Sequence, residues 1–155
     1  DGDVVCIRLD GNAMFTSSTT FRELTREMNR RGHRQFRLDL GACNIMDSTF
    51  IGTLLAFGLQ LRQQGGGLSI VRASTECREQ LQHFGLGQVI KISQGTGAVF
   101  TPEGEWIASS PKATAADHRE TILQAHEALV ASSEENRLRF HDALEFLKGN
   151  VPEGN

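Results

Sequence analysis

No stretch of this 155-residue chain approaches the ~18 consecutive apolar residues that a bilayer-spanning helix needs, so no membrane insertion is expected. No signal-peptide pattern opens the chain, although it begins at Asp1 without a methionine. Cysteine is scarce. Cys6, Cys43 and Cys77 are odd in number and far apart, which argues against a disulfide framework and for reduced thiols in a cytoplasmic protein. Cys6 and Cys77 sit in apolar patterns and read as small core residues. Neither Cys-x-x-Cys nor His-Glu-x-x-His occurs, and His118 and His126 are not on adjacent turns, so no metal and no cofactor is expected. Gln94-Gly95-Thr96-Gly97 lacks the Gly-Lys-Ser/Thr ending of a phosphate loop. No internal repeat or low-complexity tract is present.

The charge is unevenly spread. Residues 1–100 hold eleven Lys/Arg against nine Asp/Glu (+2), and residues 101–155 hold five against ten (−5). An acidic tail beside a mildly basic body suggests two parts that attract each other. It does not suggest nucleic-acid binding, which needs a concentrated basic face. The length fits one domain with an extension: a domain over 1–100, a linker or strap over 101–112 and a helical extension over 113–149.

The stretch from Phe36 to Gly52 organises the rest. Phe36, Leu38 and Leu40 alternate with polar residues, which is strand periodicity, and Gly41 and Asn44 are read as breaking it. Asp47, Ser48 and Thr49 then offer short polar side chains to the free N–H groups of a helix's first turn. That helix is predicted over Ser48 to Gln64, with Asp47 or Ser48 as cap and the Thr49 hydroxyl facing solvent. Its apolar residues form two bands: Ile51, Leu54, Leu55 and Leu59, and Phe50, Leu54, Phe57 and Leu61. One band suffices for a helix lying on a sheet, so the second implies a further contact.

Along the chain, Val4–Leu9 reads as a strand and Asp10-Gly11-Asn12 as a turn. Thr20-x-x-Glu23 has capping-box spacing for a helix carrying Phe21, Leu24 and Met28 and ending at Gly32. Gly65-Gly66-Gly67 ends the Ser48 helix, Leu68–Val71 is a strand, Ser74 or Thr75 caps a helix with Cys77, Leu81 and Phe84 inward, and Gln88–Ile92 is a further strand. This alternation implies an α/β domain with a largely parallel sheet. Ala98–Phe100 and Trp106–Ile107 fit a short hairpin or an irregular strap. Beyond Ser109-Ser110-Pro111, helix formers dominate. Ile122, Ala125, Leu129 and Val130 make one apolar patch, and Phe140, Leu144 and Leu147, with Leu138 and Ala143 nearby, make another. Ser132-x-x-Glu135 has capping-box spacing, so two helices fit, as does one long helix with a polar middle. Each patch needs a surface. The simplest surface is the extra band at Phe50, Phe57 and Leu61, or its equivalent on a second subunit.

The segment Met46-Asp47-Ser48-Thr49-Phe50-Ile51-Gly52, between a strand and an apolar helix, resembles the STAS family and, within it, the bacterial anti-sigma factor antagonists, which carry a Met-Asp-Ser-Ser/Thr-Gly-Leu-Gly-like segment at this point. The resemblance covers residues 3–92 in element order. It implies a mixed sheet with helices mainly on one face. It also implies a phosphorylated hydroxyl at Thr49, with Ser48 the alternative, and a partner-binding surface at Met46, Asp47, Ser48 and Thr49, to which the excess apolar width of the helix adds Phe50 and Phe57. Phe50 stands where the family has its first glycine.

The resulting expectation is a non-enzymatic regulatory binding module: an anti-sigma factor antagonist of a partner-switching system acting in transcription regulation. Its implied partners are an anti-sigma factor that is also a serine kinase, and a phosphatase. A homodimer through the C-terminal helices is compatible with the same patches. One alternative is a non-switching STAS subunit, structural or accessory to a transport complex. Another is an enzyme using Cys43 or the loop carboxylates Asp39 and Asp47, which would need a cleft.

Overall fold

The computed structural model describes residues 4–93 and 113–149. The first part runs β1 (Val4–Ala13), α1 (Phe15–Arg30), β2 (Gln35–Met46), α2 (Ser48–Gln63), β3 (Gly67–Val71), α3 (Thr75–His83), a 3-10 turn Leu86–Gln88 and β4 (Lys91–Ile92); α4 (Ala115–Ser132) and α5 (Glu134–Leu147) follow. The expected α/β architecture with a C-terminal helical extension is the one found. The sheet order is β1-β2-β3-β4. All three pairings are parallel, so the mixed pairing implied by the resemblance is not seen among the described residues. Each crossover steps the same way along the sheet, and right-handed crossovers then place α1, α2 and α3 on one face.

Phe36, Leu38 and Leu40 of β2 and Leu68 and Ile70 of β3 meet Ile51, Leu54, Leu55 and Leu61 of α2 in the core. Thr49 to Leu55 are all buried, because α2 is enclosed by more than the sheet. Its second apolar band faces inward. The Phe57 ring lies 4.8 Å from Phe36 and 6.1 Å from Phe21 of α1, and Phe50 lies 5.7 Å from Phe21. These are edge-on aromatic contacts of the core, and the tail packs beside them: Leu129 joins the same core, and Phe57 lines a cleft together with Thr121 and Ala125.

Several expected boundaries move. Asp10-Gly11-Asn12 stays inside β1: Gly11 takes φ +92° and the pairing with β2 shifts register around it, so the glycine makes an irregularity in place of a turn. Gly41 and Asn44 do not break β2, which continues to Met46. Helix α1 starts at Phe15, ahead of Thr20, capped by Met14 with no side-chain hydrogen bond. Ser18 and Thr19 donate back to the carbonyls of Met14 and Phe15 at 3.0 and 3.3 Å, which absorbs the hydroxyls inside the helix. Residues 86–88 turn, leaving only Lys91–Ile92 as strand, while Leu86 and Ile90 fill the core. Cys6 is exposed because β1 alternates and is the sheet edge, whereas Cys77 is buried as expected. The segment expected as a hairpin or strap, around 98–107, lies outside the described residues.

The tail forms two helices. Thr114 and Asp117 cap α4 reciprocally, and Ser133, one residue beyond the expected Ser132, accepts from the Asn136 N–H at 3.0 Å to start α5. Ala125, Leu129 and Leu144 are buried, while Leu138 is 71% exposed. No helix among the described residues is long and apolar enough to cross a membrane.

Candidate functional site

Strand β2 delivers the chain to Asp47, whose backbone is extended (φ −95°, ψ 172°) and whose N–H donates to the Ala13 carbonyl at 3.0 Å. Its Oδ1 accepts from the Phe50 N–H at 2.8 Å, so Asp47 caps α2. Ser48 and Thr49 therefore occupy the first turn, at the positive end of the helix. The solvent-facing position expected for Thr49 is not found: Thr49 is 6% exposed, although it lies in a helix's first turn and not in a strand. Of the six residues expected at a partner surface, Met46, Thr49, Phe50 and Phe57 are buried, and Asp47 and Ser48 are half-buried.

The missing exposure is explained by α4, which lies along α2 and α1. A Cβ added to Gly52 would fall 2.3 Å from the Ala125 carbonyl oxygen, so the two helices touch there backbone to backbone. On one side of this crossing, Ser48 Oγ lies 3.2 Å from His126 Nε2. His126 Nδ1 is 2.8 Å from the Ile122 carbonyl, which can only accept. The proton of the neutral ring therefore sits on Nδ1, and Nε2 accepts the Ser48 hydroxyl. On the other side, Thr19 Oγ1 lies 2.7 Å from His118 Nδ1 and 3.1 Å from Thr121 Oγ1. Arg22 Nη1 donates to Thr121 Oγ1 at 3.2 Å, and its Nη2 lies 3.3 Å from Glu120 Oε1. A cleft of about 80 Å³ remains beside this network, lined by Arg22, Thr53, Phe57, Gln60, Thr121 and Gln124.

The groups suggested for chemistry are engaged elsewhere. Asp39 is fully buried and paired to Arg72, and Asp47 is the helix cap. Cys43 is 5% exposed, and burial, with Cys77 beside it, pushes its thiol up to about 11. Among the described residues no three His, Cys, Asp or Glu side chains gather as a metal site.

Sequence reasoning places the Asp47–Thr49 turn correctly but misses His126 and the Gly52–Ala125 crossing. The two tail histidines, eight residues apart, suggest chemistry or metal binding in the sequence; each instead meets a hydroxyl, His118 on α1 and His126 on α2. A glycine inside an apolar helix, opposite a chain with Ala125 in an apolar patch, was the available signal for close packing.

Comparison with known proteins bears on the same region. A solved structure from Thermotoga maritima, described as a candidate anti-sigma factor antagonist, superposes with a TM-score of 0.57 at 18% identity, over 61% of this chain and 82% of that one. At that identity the likeness is one of fold. The STAS domain model matches residues 1–98, which is the sheet with α1, α2 and α3 and excludes α4 and α5. With more than half of its length matched, this chain belongs to the STAS domain family.

Proposed function

We propose that the chain is a regulatory binding module, an anti-sigma factor antagonist of a partner-switching system controlled by Ser/Thr phosphorylation. In this reading, residues 1–100 carry the module, 101–112 a linker and 113–149 an extension. The observation that carries it is the Asp47-capped start of α2, which sets Ser48 and Thr49 side by side at a helix N-terminus. That place suits an added phosphate, because the helix dipole and free N–H groups favour a dianion while Asp47 opposes it. The partner surface is Met46 to Phe50 with Phe57, and the partner is an anti-sigma factor with serine kinase activity; a phosphatase resets the switch. The compartment is the cytoplasm. Thr49 is the phosphorylated residue, with Ser48, the more exposed of the two, as the alternative. A ~100-fold switch needs only about 2.7 kcal/mol of differential affinity.

The test is affinity capture from host lysate with wild type and Thr49→Asp. Wild type is expected to retain a serine kinase that Thr49→Asp loses; recovery of the same proteins by both variants would sink the switch.

One observation favours the non-switching reading: Phe50, in the place of the family's glycine, is fully buried. Mass spectrometry of protein from its own host separates the two, since a non-switching subunit carries no phosphate on Thr49 or Ser48.

A further inference from the structure

Helix α4 meets the body through a narrow stripe. Thr121, Ala125 and Leu129, each four residues from the next, are 0%, 1% and 0% exposed, while Ile122 and Leu123 beside them stay half-buried. The body presents a matching groove. Gly52 leaves room for the Ala125 backbone, Thr19 and Arg22 of α1 line one wall, and Ser48 of α2 stands at one end with its hydroxyl on His126.

We propose that this groove between α1 and α2, centred on Gly52, is a helix-receiving interaction surface, that α4 is its resident occupant, and that a partner reaches α2 by supplying a helix of the same kind in place of α4. The competitor's identity rests on the regulatory-binding reading above; the groove and its occupant do not.

Three features argue for an exchangeable occupant. First, Leu129 anchors α4 in the apolar core, but the other named contacts are polar or small. Thr19, Thr121, His118, Arg22 and Glu120 form its α1 side, and Ser48, His126, Gly52 and Ala125 its α2 side. Water can take over those hydrogen bonds when the helices part, as in interfaces made to separate. Second, the packing is incomplete: the cleft of about 80 Å³ lies along the α4 contact, between Arg22 and Gln60 on the body and Gln124 on α4. Third, the hairpin carries its own internal order. Ser133 caps α5, Asn136 Nδ2 donates to Ser132 Oγ at 2.9 Å, and Phe140 stacks edge-on against His126 of α4, so lifting α4 does not require undoing α5 from it. Among the described residues α5 meets the body around Phe84: Asn136 Nδ2 donates to the Phe84 carbonyl at 3.0 Å, Phe140 lies against the Phe84 ring, and Arg139 sits over the same ring at 5.1 Å.

The groove also specifies its ligand. A competing helix needs a residue no larger than alanine over Gly52, a hydroxyl four residues before it towards Arg22, a leucine four residues after it, and an acceptor for the Ser48 hydroxyl immediately following the small residue. A bulky residue over Gly52 would meet the α2 backbone.

The test uses the full chain. Gly52→Ala places a methyl 2.3 Å from the Ala125 carbonyl, yet alanine suits the interior of α2 better than glycine. Amide hydrogen exchange is expected to quicken at least about tenfold across α4 and α5, with β1–β3 and α2 unchanged. Equal acceleration everywhere, or no change in α4, overturns the proposal. Independently, full-length Leu129→Ala, which loosens α4, is titrated with a labelled synthetic peptide of residues 113–133. It is expected to bind that peptide about tenfold more tightly than wild type does, and to ignore the same peptide carrying Ala125→Leu. No binding, or binding indifferent to Ala125→Leu, also overturns the proposal. Neither measurement involves an anti-sigma factor, so an opening hairpin together with a failed lysate capture would sink the proposed function alone.

Discussion

Arg72 Nε lies 3.0 and 3.1 Å from the two carboxylate oxygens of Asp39, and reaches them from a left-handed backbone (φ 59°) at the end of β3. Asp39 is wholly buried; the Arg72 side chain keeps 30% of its surface in water. The Gly41 N–H adds a third hydrogen bond to the carboxylate at 2.8 Å, and a Cβ on Gly41 would sit 2.5 Å from Arg72 Nη2. This is why β2 passes straight through a glycine: the residue clears a path for the guanidinium.

Removing the carboxylate leaves that arginine without its partner. Asp39→Ala is expected to cost roughly 3 kcal/mol in chemical denaturation, the low end for a buried pair because Arg72 reaches solvent. Gly41→Ala should cost less, since the obstructing atoms are the far end of a flexible side chain. The reverse order would refute this account of Gly41.

Phe50 is fully buried against Phe21. Phe50→Gly, which restores the family's residue, is expected to destabilise the protein by about 4 kcal/mol, through the cavity and the lost helix propensity. A nearly neutral effect would mean that the phenyl ring is not part of the packed core.

The three thiols should differ sharply. At pH 7.5 a maleimide is expected to modify Cys6 quickly and leave Cys43 and Cys77 untouched in the native protein, read by peptide mass spectrometry. The raised thiol of Cys43 gives a signed pH effect as well. The folded state favours the neutral form, so this contribution is intact below the ordinary thiol range and is lost as pH rises towards about 11. Cys43→Ala should flatten that alkaline loss.

The start of α4 gives the opposite sign. Asp117 titrates below the usual carboxylate range because the Thr114 backbone N–H and then its hydroxyl bond to it. Its contribution to α4 is therefore present above the ordinary carboxylate value and disappears as pH falls through the lowered one. Acid should raise exchange at the α4 N-terminus before the sheet responds. Thr114→Ala, expected to cost about 1 kcal/mol, should weaken the effect without abolishing it, because the backbone N–H that bonds Asp117 remains.

What could be read from the residues follows from the range of each interaction. Phe36, Leu38 and Leu40 announce β2 through alternation, and Asp47 announces α2 through a bond three residues away; both are local. Gly41 and Gly11 mislead because a glycine's conformation looks the same whether it makes a turn, a bulge or a gap for Arg72, and Arg72 is 31 residues beyond Gly41. Thr20 misleads because its neighbours' hydroxyls bond back into α1. The surplus apolar width of α2 was legible, but not how it is shared: Phe21 of α1 meets Phe50, while α4 covers the face at Gly52. The tail's need for a surface was legible too, yet the face it uses is marked by Gly52, Thr121 and Ala125, which no hydrophobic pattern emphasises.

The groove on α2 is encoded well ahead of the helix that fills it. Translation at about 5–20 residues per second leaves several seconds between the emergence of Gly52 and that of Ala125. During that interval Ser48 has no His126 to bond and Gly52 has no neighbour. Until α4 emerges, the α2 face around Gly52 has no helix of its own chain to cover it.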